Sequence, residues 1–452
     1  MTEHVDVVVL GMGVGGEEVA GKLAEAGLTV VGIEGRLVGG ECAYWGCVPT
    51  KMMIRAANLV AETRRVDGMA GTAQVQPDWA PVAQRIRDEA TDGWDDKVAV
   101  DRFTGKGGVF ARGRGRLVGP GRVEVNGEVF QARRAVVIAT GTEPSIPPVK
   151  GLANTPYWTN RQAVEADHVP ASLLVLGGGA VGLELAQVYA RFGADVTVVE
   201  AAERLLAMEE PEASELIAEA LAADGITVRT GTKVTQAGHD GERFTLALSD
   251  GGTLTGQRLL VTTGRRANLT GLGLDTVGLG PTAKTITTDE HMRAGEKLWA
   301  IGDITAHGGF THMAMYQAGI AVADILGRPG PPADYRAVPR VTFTDPEIGA
   351  VGMTEAAARD RGLAVHTGTA QIPSAARGWI HKAGNDGFIK LIADADRGVL
   401  IGATSAGPTG GEVLGALALA VHAEVPIDRL RTMIYAYPTF HRAIETALRE
   451  LS

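Results

Sequence analysis

The sequence predicts an α/β protein with two Rossmann-like units followed by a smaller α+β domain. Three observations predict it. Residues 5–34 read strand, glycine-rich turn, helix, strand; residues 172–200 repeat that pattern; and the stretch from Pro339 onward mixes strand-like and helical segments with no such turn.

In the first unit, residues 5–10 form a short apolar run, Gly11-Met12-Gly13-Val14-Gly15-Gly16 is the turn, and residues 17–26 have helical character. A second strand at residues 28–33 ends on Glu34. Glycines in such a turn bring backbone N–H groups close to a pyrophosphate at the helix N-terminus. An acid about 20 residues on accepts hydrogen bonds from a ribose diol. Gly11, Gly13, Gly16 and Glu34 are therefore candidate dinucleotide contacts. The second unit has strand Ser172–Leu176, turn Gly177-Gly178-Gly179-Ala180-Val181-Gly182, a helix over 183–192 and a strand over 194–199 ending on Glu200. Gly177, Gly179, Gly182 and Glu200 are its candidates. Two dinucleotide-binding domains in one chain imply electron transfer between two cofactors.

Ala139-Thr140-Gly141-Thr142-Glu143-Pro144 and Thr262-Thr263-Gly264-Arg265-Arg266 each read as a strand end running into a glycine turn, which closes a nucleotide domain. Pro144, Pro147 and Pro148 mark a crossing between domains. Trp299-Ala300-Ile301-Gly302-Asp303 is a further strand end carrying an acid that can meet a cofactor hydroxyl, and residues 327–332 read as a linker. Asp67 and Asp240 are read as solvated surface charges.

The two cysteines, Cys42 and Cys47, lie five residues apart in Gly39-Gly40-Glu41-Cys42-Ala43-Tyr44-Trp45-Gly46-Cys47-Val48-Pro49-Thr50-Lys51. A disulfide closing so short a loop removes little entropy from the unfolded chain, so it contributes little stability. Beside a redox cofactor, a bridgeable pair reads as an electron relay. A zinc half-site and two inert thiols are the other readings; zinc takes about four ligands, and neither a second cysteine pair nor a close histidine cluster supplies the rest. Pro49 and the run to Ala57 predict the first turns of a helix. Cys47 then sits near its N-terminus, where the dipole favours a thiolate.

Composition bounds the class. The 452 residues are 45% hydrophobic and 21% charged, as in an ordinary globular protein, and imply two or three domains. A formal net charge of −10 with no basic stripe argues against nucleic acid as a partner. The N-terminus lacks a basic secretory n-region, and the longest apolar run, residues 413–421, is under half of the roughly 20 residues a membrane span needs. A cytoplasmic location is expected, where a cysteine pair points to catalysis rather than architecture.

With these motifs in hand, the chain resembles the flavoprotein disulfide reductases, the family of lipoamide dehydrogenase, glutathione reductase and mercuric reductase. The match spans essentially the whole length and includes the Cys-x4-Cys pair. The resemblance implies FAD on the first fingerprint, contacted by Gly11, Gly13, Gly16, Glu34, Gly115, Thr140, Gly141 and Asp303. It implies a nicotinamide dinucleotide at Gly177, Gly179, Gly182, Glu200 and Gly264. It also implies Cys47 nearest the flavin, Cys42 facing the substrate, and a Lys51–Glu184 ion pair near the flavin N5. The domain boundaries it suggests are 1–150 with 265–335 for FAD, 151–264 for NAD(P)H, and 336–452 for a dimerisation domain. The homodimer it implies shares its active sites between chains. No metal is expected. Glu200 favours NADH by repelling a 2′-phosphate, with NADPH left open because Arg204 is close by.

The C-terminal segment departs from the family. Disulfide-reducing members carry His-Pro-Thr with a glutamate five residues after the histidine, a general acid–base dyad. Here Tyr437 stands for the histidine and Arg442 for the glutamate, and His441 is out of register. Tyrosine titrates near ~10 and is a poor base at neutral pH. Mercuric reductases have a tyrosine here but use a further C-terminal cysteine pair, and soluble transhydrogenases lack the redox pair. The expected function is therefore an FAD-dependent NAD(P)H oxidoreductase passing electrons to a small non-standard acceptor such as a quinone, with Tyr44, Trp45, Tyr437 and Arg442 shaping that site. Packing is the other reading for Tyr44 and Trp45. The alternative functions are a low-molecular-weight disulfide reductase using an unusual acid, and a flavin-binding redox sensor.

Overall fold

The computed structural model describes residues 2–451. The chain forms two compact units: Met1–Pro49, Gln84–Ser145 and Arg265–Tyr335 make the first, and Thr50–Ala83, Ile146–Gly264 and Arg336–Ser452 the second.

The first unit is built on an eight-stranded sheet whose main path runs Arg293–Gly295, Leu298–Ala300, Glu128–Ile138, Thr2–Leu10, Val30–Glu34, Val109–Arg112. Thr2–Leu10 is parallel to both neighbours, with Val7 opposite Val30 and Val8 opposite Val136. Consecutive valines suit a strand covered on both faces. Because side chains alternate, Val7 and Val9 join Val19 and Leu23 of helix Val14–Glu25 and Ala318 and Val322 of helix Thr311–Ile325. Val8 and Leu10 pack on the other face with Leu117, Val123 and Leu272.

Helix Val14–Glu25 begins three residues before the sequence pattern indicates. Gly13 is its N-cap, so Val14, Gly15 and Gly16 form its first turn; glycine's low helix propensity hides them in the sequence. Helix Ala180–Arg191 starts early for the same reason, capped by Gly179. A short helix, Gly40–Tyr44, precedes helix Cys47–Arg64. Asp303 lies in a short 3-10 turn, Gly302–Thr305, beyond strand Leu298–Ala300 rather than on it. Residues 327–332 are irregular.

The second unit contains a parallel sheet ordered Thr227–Arg229, Asp195–Val199, Ser172–Leu176, Arg258–Val261. Leu174, Leu176 and Val199 share a core with Phe244 and Leu246 of the antiparallel sheet Val234–His239, Phe244–Leu248, Thr253–Gly256. Its remaining part is a five-stranded antiparallel sheet ordered Pro339–Thr342, Glu347–Gly352, Val399–Gly407, Phe388–Asp394, Val365–Gln371. Leu414, Leu417 and Val421 of helix Gly410–His422, and Ala447 and Leu448 of helix Ala443–Arg449, pack in its core. Among the described residues no helix is long and apolar enough to cross a membrane.

Candidate active site

The two glycine turns have the same construction. Gly11 and Gly177 have φ of +92° and +114°, and a Cβ on Gly16 or Gly182 would meet the carbonyl oxygen of Gly11 at 1.9 Å or of Gly177 at 2.3 Å. Each helix therefore rests directly on the strand end. The middle glycines differ: a Cβ on Gly13 would meet nothing nearer than Gly40 Cα at 4.0 Å, and Gly179 has no neighbour within 4 Å. That leaves open space at two helix N-termini, whose free N–H groups suit a pyrophosphate.

The acids repeat the correspondence. Glu34 accepts the Met12 N–H at 2.9 Å and the Arg36 N–H at 2.7 Å. Glu200 accepts the Gly178 N–H at 2.5 Å and the Ala202 N–H at 2.7 Å. Each carboxylate has about four acceptor positions, so both retain capacity for a ribose diol.

The first unit gathers Gly11, Gly13, Gly16, Glu34, Cys42, Cys47, Gly115, Thr140, Gly141 and Asp303. Gly39 donates to the Met12 carbonyl at 2.7 Å and bridges to Gly13, which seats the Gly40–Tyr44 helix against the first glycine turn. Thr140 and Gly141 follow strand Glu128–Ile138; Gly141 has φ +62° with open space beside it. The Thr140 hydroxyl is buried without a hydrogen-bond partner. Such a group is rare unless a ligand or water completes it, and it fits a cofactor oxygen. Asp303 accepts the Thr142 hydroxyl at 2.6 Å. Arg265 donates to the Thr142 hydroxyl at 2.7 Å and carbonyl at 2.9 Å, and lies 3.6 Å from Glu41. Gly115 is a close-packing position, since a Cβ there would lie 2.3 Å from Leu10 Cδ2.

No disulfide joins Cys42 and Cys47 in this structure. A hydrogen bond with Cys47 and partial burial hold the Cys42 thiol protonated well above its ordinary range. Cys47 Sγ lies 3.4 Å from the Thr311 hydroxyl. Thr311 opens helix Thr311–Ile325, 264 residues away in sequence, and no motif flags it. Tyr44 is buried, with its hydroxyl 3.4 Å from the Asp95 carbonyl and its ring 5.8 Å from that of Trp45. Its burial favours the packing reading of Tyr44 over the acceptor-lining one. Arg265, Thr142 and Thr311 are the site-building residues that sequence reasoning missed.

The second unit holds Lys51, Glu184, Gly177, Gly179, Gly182, Glu200, Gly264, Tyr437 and Arg442. Lys51 Nζ lies 2.8 Å from Glu184 Oε2 and 4.6 Å from the centre of the Phe343 ring. Gly264 follows strand Arg258–Val261 with φ +107° and no neighbour within 4 Å. The Arg204 guanidinium is held by Ser214 Oγ at 2.7 Å and by the Ala207 and Leu206 carbonyls at 2.8 and 3.3 Å.

Tyr437 is 70% exposed. The Arg442 guanidinium lies 5.5 Å over its ring, donates to the Tyr435 carbonyl at 3.0 Å and pairs with Glu445 at 2.9 Å. His441 Nε2 lies 3.5 Å from the Thr439 hydroxyl. The position of the family's base therefore carries a phenol under a cation.

A family model described as pyridine nucleotide-disulphide oxidoreductase matches residues 5–318, and the dimerisation domain of the same family matches residues 338–448. The chain belongs to this family. Among curated pyridine nucleotide-disulphide oxidoreductases it is 32% identical to a dihydrolipoyl dehydrogenase of Thermus scotoductus, covering 99% of this chain and 97% of that one. It is 33% identical to a mercuric reductase of Shigella flexneri, over 98% and 80% respectively. LpdA from Mycobacterium tuberculosis superposes with a TM-score of 0.87 at 26% identity, covering 99% of both chains. RclA from Escherichia coli, at 23% identity and a TM-score of 0.87 over 99% of both, shares the fold.

As a pyridine nucleotide-disulphide oxidoreductase, the protein is an FAD-dependent NAD(P)H oxidoreductase with the family's dimerisation domain. Bound FAD supplies two-electron transfer between a hydride donor and a disulfide, while the protein binds and orients the partners.

Proposed function

We propose that this oxidoreductase passes electrons from NADH, through FAD and the Cys42–Cys47 pair, to a quinone or similar small electrophile. The observation that carries the reading is the exposed Tyr437 ring beneath the Arg442 guanidinium, where a disulfide reductase needs a base. A quinone needs no such base: NADH, a proton and a quinone give NAD⁺ and a hydroquinone, and a cation beside a phenol donor polarises its carbonyl. In this reading Cys47 faces FAD and Cys42 faces the acceptor; the dithiol gives two electrons and two protons to the quinone and closes to the Cys42–Cys47 disulfide, which the reduced FAD then reopens. Lys51 and Glu184 tune FAD, and the glycine and acid positions named above hold the two dinucleotides. The retained grip of Arg204 on Ser214 and the carboxylate of Glu200 support NADH over NADPH.

The domain division follows the same reading: 1–150 with 265–335 for FAD, 151–264 for NADH and 336–452 for dimerisation. Tyr437 and Arg442 then serve the cysteine pair of a second copy, in a cytoplasmic homodimer. The relationship to dihydrolipoyl dehydrogenase supports a second reading, reduction of a small disulfide with a proton supplied by another group.

The deciding experiment is steady-state NADH oxidation by the FAD-loaded protein with menadione, oxidised lipoamide or oxidised glutathione, beside Cys42→Ala. Fast menadione turnover with negligible disulfide turnover is expected. Rapid, Cys42-dependent disulfide turnover would overturn the proposal in favour of the second reading.

A further inference from the structure

Helix Ala180–Arg191 carries three buried polar side chains on one face: Glu184, Gln187 and Arg191, which are 5%, 3% and 2% exposed. Their i, i+3, i+7 spacing is the stripe a helix ordinarily fills with apolar residues. Each such group costs about 1–3 kcal/mol if buried unpaired, so the partners matter. Glu184 Oε1 accepts the Phe343 N–H at 2.8 Å while Oε2 meets Lys51. Gln187 accepts the Asp345 N–H at 2.8 Å and donates to the Asp345 carbonyl at 2.9 Å and to Asp224 at 2.7 Å. Arg191 donates to Asp345 at 2.8 Å, Asp224 at 3.0 Å and Asn58 at 2.7 Å, and Arg65 reaches Asp345 at 2.7 Å.

The stripe thus reads one short segment, residues 343–345, through every rung. That segment touches both members of the ion pair: the Phe343 N–H holds Glu184, and the Phe343 ring lies under Lys51. Displacing it moves both charges together.

We propose that Gln187, Arg191 and Asp345 are positioning residues for the Lys51–Glu184 pair, clamping Phe343 so that the pair sets the reduction potential of FAD. This rests on the reading that Lys51 acts on FAD, and extends it from one pair to the set that fixes it.

The test is the flavin midpoint potential of FAD-loaded Asp345→Asn and Gln187→Met, titrated spectroscopically, with Lys51→Met and Glu184→Gln as references. Gln187→Met keeps the side-chain volume and serves if the Asp345 variant fails to fold. Both are expected to shift the potential in the direction of Glu184→Gln by about 30 mV, a tenfold change in a two-electron equilibrium constant. Combined with Glu184→Gln they should add little, as for groups acting through one residue. Potentials unmoved in both, while Lys51→Met moves its own, would reduce the stripe to plain architecture and overturn the proposal. If Lys51→Met itself leaves the potential unchanged, the underlying reading fails and the proposal falls with it.

Discussion

Lys51 Nζ and Glu184 Oε2 meet at 2.8 Å across 133 residues of chain, with the Glu184 side chain 6% exposed and that of Lys51 35% exposed. The buried partner carries the greater liability. Lys51→Met leaves a desolvated carboxylate without its cation, at an expected cost of about 1–3 kcal/mol, discounted for the exposed lysine. Glu184→Gln retains an acceptor for the Phe343 N–H and removes the charge, so it should cost less. Thermal melting of the two variants checks this order, and a lower melting temperature for Glu184→Gln would contradict it.

The paired glycine turns allow the two proposed dinucleotide sites to be tested separately. A methyl group on Gly16 would collide with the Gly11 carbonyl, and one on Gly182 with the Gly177 carbonyl. Gly16→Ala is expected to yield protein without flavin absorbance. Gly182→Ala should keep the flavin spectrum yet lose at least tenfold in apparent NADH affinity, read from the NADH dependence of anaerobic flavin bleaching.

Thr311 offers Cys47 a hydroxyl at 3.4 Å. Hydrogen bonds to charged groups contribute roughly 1.5–3 kcal/mol, so if the hydroxyl donates to the thiolate, Thr311→Val should slow alkylation of Cys47 at neutral pH by about tenfold or more. The pH profile of iodoacetamide alkylation in a Cys42→Ser background measures it; coincident profiles would show that the hydroxyl does not stabilise the thiolate.

Lys390 is surrounded by Glu210 at 2.9 Å, Glu212 at 2.7 Å and Glu355 at 3.0 Å, with its side chain 6% exposed. Burial alone pushes the ammonium down, but bonds to Glu212, Glu210 and Glu355 outweigh it and hold the group above its ordinary value. The bond from Lys390 holds the Glu355 carboxyl below its own. A raised lysine stabilises fully below its unfolded pKa near ~10.4 and loses that contribution as pH rises through the folded value; a lowered glutamate stabilises above ~4.3 and loses it as pH falls. The cluster therefore supports folding on a plateau between about pH 5 and pH 10. Lys390→Met should cost about 3–5 kcal/mol at pH 7, as breaking a buried pair does. Its deficit in melting temperature should be largest on that plateau, where Glu210 and Glu212 lose their cation while Glu355 keeps Arg359 at 2.9 Å.

Restoring the dyad tests the acceptor. Tyr437→His with Arg442→Glu places an imidazole and a carboxylate at the spacing of the disulfide-reducing relatives. Acid–base catalysis contributes about 10²–10⁴-fold, so lipoamide turnover should rise by at least ~10², while menadione turnover falls because the phenol and the cation that polarise the quinone are gone. An unchanged ratio between the two acceptors would place the determinant elsewhere.

The parts of the site legible in the sequence are those made by local geometry. Both glycine turns and their acids lie within about 30 residues of chain, where spacing alone fixes which groups meet. The Cys47–Thr311 contact spans 264 residues, and no local pattern links a cysteine to a distant helix start. Helix onsets at Val14 and Ala180 are hidden because cofactor turns use glycine in the first helical turn. Tyr44 reads the same whether it lines a pocket or fills a core; burial alone separates the two. Arg204 reads as a phosphate ligand until Ser214, ten residues on, is seen to hold it.

The carboxylates of Glu34 and Glu200 each tie down a glycine-turn amide 22 residues back. Redesigning Glu200 toward a 2′-phosphate would therefore cut a brace of the loop proposed to cradle the pyrophosphate. A cofactor switch in this chain is a two-part design problem: the new residue at position 200 must admit the phosphate, and a second change must take over the orphaned Gly178 N–H. Variants selected for NADPH use alone should emerge less thermostable than their parent, and recover through compensating changes near residues 177–179 and 202.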